Sequence, residues 1–132
     1  MTYLFDTNAC IDLMKLRDPL MTRARALGPG AIAVSTVTLA ELWFGAHKSA
    51  RPIRTRAEQD AFLAPFRVLD FDARAADRYA SSRARLARAG TPIGDRDLMI
   101  SAIALANARI VVTRNVGEFS RVTGLDVEDW MA

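Results

Sequence analysis

Hydrophobic positions fall into two rhythms along the chain. Short apolar runs bounded by polar or turn-forming residues read as strands: Tyr3–Phe5, Ala31–Ser35, Phe66–Leu69 and Ile110–Val112, with a fifth candidate at Leu125–Val127. Longer stretches with helical spacing lie between them. Asn8 is expected to cap a helix reaching Leu16, and Asp18-Pro19 to open a second that ends before Gly28-Pro29-Gly30. Thr36 is expected to cap a helix over Val37–Lys48. Thr55 and Glu58 have capping-box spacing for a helix that ends near Pro65. A long helix over Asp72–Ala89 precedes the breakers Gly90, Pro92 and Gly94, and a strongly apolar one follows over Asp95–Ala108.

Strands alternating with helices predict βαβ units: an α/β fold, a three-layer α/β/α sandwich around a mostly parallel central sheet. The 132 residues suit one domain, with no repeat, linker or low-complexity segment. In such sheets the site lies outside the carboxyl ends of the strands. Asp6 follows the first strand, Ser35 and Thr36 the second, Thr113 and Asn115 the fourth, so these residues are expected at one edge.

Two acids stand out against the apolar pattern. Glu41 shares a helical stripe with Val37, Ala40 and Phe44, and a carboxylate facing a core is costly unless paired or metal-bound. A partly exposed glutamate at the stripe's margin is the plainer alternative. Asp97 begins a face continued by Ile100, Ser101, Ala104 and Leu105. Its neighbour Asp95 has a simpler explanation as a helix cap that suits the dipole. Three carboxylates at one sheet edge fit a hard divalent cation with oxygen ligands, which activates water and offsets charge at phosphorus. His47 is the single histidine, there is no Gly-rich phosphate loop, and no cysteine cluster competes.

Composition narrows this further. The formal charge is +3, carried by 16 arginines and only two lysines, Lys15 and Lys48. Arginine suits phosphate, although a GC-rich coding sequence produces the same bias. Arg74, Arg78, Arg85 and Arg88 fall near one face of the long helix: a strip for RNA phosphates, or an ordinary solvated face. Trp43 and Phe44 fit base stacking, or core and subunit contacts. No apolar run is long enough to span a membrane, the start lacks a signal-peptide pattern, and Cys10 has no partner within the chain. These features predict a cytoplasmic protein with no membrane partner.

The residues singled out also carry a resemblance. "YLFDTNACIDLM", "VSTVTLAELWFGAHKS" and "GTPIGDRDLMISAIALANARIVVTRNVGEFSRVTGLDVEDW" resemble, in order and spacing, the motifs of PIN-domain proteins, and among them the VapC-type toxins of bacterial toxin–antitoxin pairs. The resemblance implies a metal-dependent endoribonuclease that cleaves structured RNA, commonly tRNA or rRNA, and arrests growth. It implies Mg2+, with Mn2+ as the alternative, held by Asp6, Glu41 and Asp97 as the catalytic acids. Thr7 and Asn8 would support the site by orienting Asp6. It also implies a VapB-like antitoxin and a homodimer. The sequence departs from the pattern where many PIN domains place a fourth acid: Asn115 occupies that position, with Glu118 three residues on, and both join Asp95 as secondary candidates. A PIN-fold module that binds RNA or protein without cutting is the alternative that this departure raises. A phospho-receiver domain lacks its late lysine here, and a haloacid-dehalogenase-like phosphatase lacks the second aspartate, since Asn8 stands two residues after Asp6.

Overall fold

The computed structural model describes residues 1–132. Five strands, β1 (Tyr3–Phe5), β2 (Ile32–Ser35), β3 (Arg67–Leu69), β4 (Ile110–Val112) and β5 (Val127–Glu128), form one sheet in the order β3-β2-β1-β4-β5. Every pairing is parallel, with Tyr3 opposite both Ile32 and Ile110. The helices are α1 (Thr7–Met14), α2 (Leu20–Leu27), α3 (Thr36–Lys48), α4 (Pro52–Leu63), α5 (Ala73–Ala89), α6 (Asp95–Ala106) and α7 (Val116–Phe119). The expected three-layer α/β/α sandwich is therefore present, with a sheet that is wholly parallel.

The alternation of strand side chains builds the two cores. Tyr3, Phe5, Ile32, Val34 and Val112 point to one face and meet Ala9 and Cys10 of α1, Leu20 and Ala24 of α2, Leu42 of α3 and Leu63 of α4. Leu4, Ala33 and Val111 point to the other, against Ala75 of α5, Ile100, Ile103 and Ala104 of α6, and Phe119 of α7. Trp130 closes the first core edge-on to Tyr3 and Phe5, at 4.9 and 5.3 Å between ring centres. No helix is long and apolar enough to cross a membrane.

Several boundaries differ from expectation, each for a local reason. Asp6, not Asn8, caps α1: its carboxylate accepts from Ala9 N at 2.8 Å, and Asn8 is the second helical residue. Ser35, not Thr36, caps α3 through Thr38 N at 3.1 Å. The helix expected to open at Thr55 begins at Pro52, whose fixed φ suits the first helical position. Thr55 instead meets Ser49 Oγ, and Glu58 pairs with Arg54. α5 matches its expected span to one residue, with Asp72 as its cap and a left-handed Gly90 ending it. α7 was not anticipated, and β5 lies one to two residues beyond its expected span.

Candidate active site

All of the strand-following polar residues do gather at the carboxyl edge. The β1 ladder ends at Asp6, which is buried because β2 and β4 flank it and α1 starts on it. Its Oδ1 accepts from Ala9 N, and its Oδ2 from the Thr113 hydroxyl just after β4. Thr113 is itself held, accepting from Asn115 N at 2.9 Å. Asp6 thus has a fixed orientation and no cation. Burial pushes its carboxyl up to about 6, against the opposing effect of those two hydrogen bonds, and the charges of Asp97 and Glu41 add to the rise.

Glu41 extends from α3 with a quarter of its side chain exposed. It does not lie on the core-facing stripe: that stripe is Thr38, Leu42 and Ala46, while Ala40 and Phe44 are exposed, Phe44 by 59%. The stripe Val37, Ala40, Glu41, Phe44 lines a surface groove with Arg96 and Met99 of α6. Thr7 donates to Glu41 Oε1 at 2.6 Å and lies 3.1 Å from the Thr38 hydroxyl, and Arg96 Nη1 stands 3.4 Å from Oε2. Thr7 therefore positions Glu41 rather than Asp6, and Asn8 is exposed with no side-chain hydrogen bond into the site. Ala9 N and Thr113 do the orienting expected of Thr7 and Asn8.

Asp97, half-buried in the first turn of α6, accepts from Asn115 Nδ2 at 3.3 Å. Burial raises its carboxyl above the usual value, with the charges of Glu118 and Glu41 adding to it. Asn115 also donates to Glu118 Oε2 at 2.7 Å, and Glu118 Oε1 takes Gly94 N at 2.7 Å. These bonds hold Glu118 below the usual carboxylate range. Asp95 points elsewhere. It is exposed and accepts from the Tyr79 hydroxyl at 3.2 Å, and the cap position belongs to Gly94, so Asp95 suits the helix dipole without capping.

The side chains of Asp6, Glu41, Asp97 and Glu118 thus share one edge, and the neighbouring carboxylates add to the rise at Asp6 and Asp97. An all-oxygen donor set with uncompensated negative charge fits a hard divalent cation. The acids do not close into a finished cage: Glu41 is turned to Thr7 and Arg96, and Asp97 to Asn115. Two participants escaped the sequence reading. Thr38 sits behind Thr7. Arg96, lodged between Asp95 and Asp97, is the cation that partly offsets Glu41, and a base flanked by two acids was its only signal. Trp43, under Arg56 at 3.7 Å, is half-buried rather than a free stacking surface.

One further acid is structural. Asp12 is fully buried in α1, with Arg17 at 2.8 Å on Oδ1 and Arg114 Nε 3.0 Å from Oδ2, the second contact lacking hydrogen-bond alignment. It ties α1 to the segment after β4.

Comparison with known proteins places the chain in a family. A PIN-domain model matches residues 3–125. The tRNA(fMet)-specific endonuclease VapC of Shigella flexneri is 42% identical over 97% of both chains. Among solved structures, DNA-bound VapBC from Salmonella typhimurium superimposes with a TM-score of 0.91 at 38% identity over 98% of both chains. VapBC2 from Rickettsia felis, bound to a DNA fragment from its promoter, gives 0.90 at 33% over 98% of this chain and 99% of that one. The chain belongs to the PIN-domain family and, within it, to the VapC ribonucleases.

Proposed function

We propose that the protein is the toxin of a type II toxin–antitoxin pair, a metal-dependent endoribonuclease whose single domain spans residues 1–132 and acts in the cytoplasm. The observation that carries this reading is the gathering of Asp6, Glu41 and Asp97 at the carboxyl edge, each oriented by a neighbour, with no cation equal to their charge. Asp6 and Asp97 would hold Mg2+, or Mn2+ in its place, with Glu41 completing the set. When bound, the metal would supply an activated water and neutralise charge developing at the phosphate.

The remaining roles belong to the chain. Thr113 and Ala9 N hold both oxygens of Asp6 in place. Thr7 and Thr38 aim Glu41. Asn115, braced on Glu118, steadies Asp97. Asn115 and Glu118 fill the space of a fourth acid, with Glu118 spent on Gly94 N and Asn115. The substrate is structured RNA. The tRNA(fMet)-specific relative makes tRNA the first choice, and accessible single-stranded loops are the points of attack. A VapB-like antitoxin is the partner, supported by the VapBC assemblies of the relatives, and the toxin itself pairs as a homodimer. The simplest block is an antitoxin arginine or lysine placed among the three acids.

Cleavage of a tRNA substrate in Mg2+, Mn2+, Ca2+ and chelator tests the reading. Activity is expected with Mg2+ and Mn2+, poor activity with Ca2+, and none in chelator. Full cleavage in chelator would overturn the metal mechanism. No cleavage under any condition would favour a module that binds without cutting.

A further inference from the structure

The strip of arginines on α5 finds a use away from the acids. α5 packs antiparallel to α6: Arg74 reaches Asn107 at the C-terminal end of α6, while Leu86 meets Leu98 near its start. Arg78, Ser81, Ser82 and Arg85 follow the i, i+3, i+4, i+7 spacing of one helix face. Against the end of α6 they enclose a hollow of about 430 Å³, completed by Arg109, which leads into β4, and by Thr123 and Asp126 before β5. Ala104 and Ala108 leave room for it. Arg109 and Asp126 precede their strands, so the hollow lies at the amino edge. From Asp97 in its first turn to Ala106 at its end, α6 separates the two sites by roughly 14 Å.

Three arginines, Arg78, Arg85 and Arg109, line the hollow and none is in an ion pair, although Asp126 also lines it. Arg109 donates to the Tyr3 carbonyl at 3.2 Å, which leaves other donors of its fork free. Burial, and after it the charge of Arg67, push Arg109 below its ordinary value. Forked donors beside the hydroxyls of Ser82 and Thr123 match the oxygens of a phosphodiester, while the Ser81 hydroxyl already donates to the Arg78 carbonyl. Arg74 and Arg88 continue the positive charge along α5 on either side.

We propose that this amino-edge hollow is a second phosphate-binding site for the RNA substrate, in which Arg78, Arg85 and Arg109 seat a backbone phosphodiester remote from the cleavage point. It rests on the ribonuclease reading and adds a reason for preferring large structured RNA. A short oligonucleotide at the acidic edge does not extend to the hollow, whereas a folded RNA spans both. Phosphate contacts of this kind add affinity and register without selecting sequence.

The test compares the wild type with Arg78→Ala/Arg85→Ala and Arg78→Lys/Arg85→Lys on a full-length tRNA and on a short oligonucleotide carrying the cleavage site alone. Both arginines are exposed, and a thermal melt checks that the fold is kept. The alanine pair is expected to raise KM for the tRNA by roughly tenfold with kcat unchanged, to lower the slope of log KM against log salt by about 1 to 2, and to leave the oligonucleotide unaffected. The lysine pair should retain most of the affinity. An unchanged KM and salt slope on a tRNA that the wild type cleaves would overturn the proposal. So would equal losses on both substrates, or weakened binding of duplex DNA with RNA kinetics intact. If the wild type cleaves neither RNA, the ribonuclease reading itself is lost, and this site with it.

Discussion

Asp6 is a buried carboxylate facing two others, and that situation has a thermodynamic signature. Its folded-state value is about 6, above its ordinary 3.8, so the folded protein holds this proton more tightly than the unfolded chain. The stability this confers is complete below pH ~4 and is lost as pH rises through 6, a change on the order of 3 kcal/mol. Asp6→Asn keeps the Ala9 cap acceptor and removes the titration. In chelator, urea unfolding should therefore find the variant gaining on the wild type between pH 4.5 and pH 7.5; an identical difference at both pH values would contradict the assignment. The acids themselves were legible in the sequence because each breaks an apolar pattern or ends a strand. Their helpers were less so. Thr7 serves Glu41 across two helices, and no local spacing relates those residues.

At the scale of elements, α3 carries the main lesson. Val37, Ala40 and Phe44 form an apolar stripe, yet the buried face is Thr38, Leu42 and Ala46, shifted by one position. Thr38 disguises the true face, because a buried threonine satisfied by Ser35 and Thr7 looks polar in a sequence. Glu41 is displaced from the core to the rim of the active edge by the same shift. Ser35 fixes the start of this helix, so Ser35→Ala should cost about 1 kcal/mol in urea unfolding. No measurable loss would mean that the start of α3 is held by packing alone. The four longer strands and the long α5 and α6 were legible from periodicity. The two-residue β5 was anticipated but misplaced, overlapping its expected span only at Val127, and the single turn of α7 was not anticipated, since tertiary pairing with β4 and packing of Phe119 hold them.

For the whole molecule, the all-parallel sheet does the essential work: it brings residues 6, 41 and 97 together at one edge while the amino edge stays basic. That edge was predictable from topology alone, whereas the amino-edge hollow needed the crossing of α5 on α6. Expressed alone, the protein is expected to arrest growth, and a small protein encoded beside it to restore growth and to co-purify. Harmless expression with no co-purifying partner would contradict the toxin assignment while leaving the fold intact. The proposed metal-binding catalytic unit joins Asp97 with Asp6 and Glu41 and leaves Asp95 out. Single-turnover cleavage of a tRNA in Mg2+ by the wild type, Asp97→Asn and Asp95→Ser measures it most directly. A loss of about 100-fold or more is expected for Asp97→Asn and near-wild-type cleavage for Asp95→Ser; near-normal cleavage by Asp97→Asn would contradict the account.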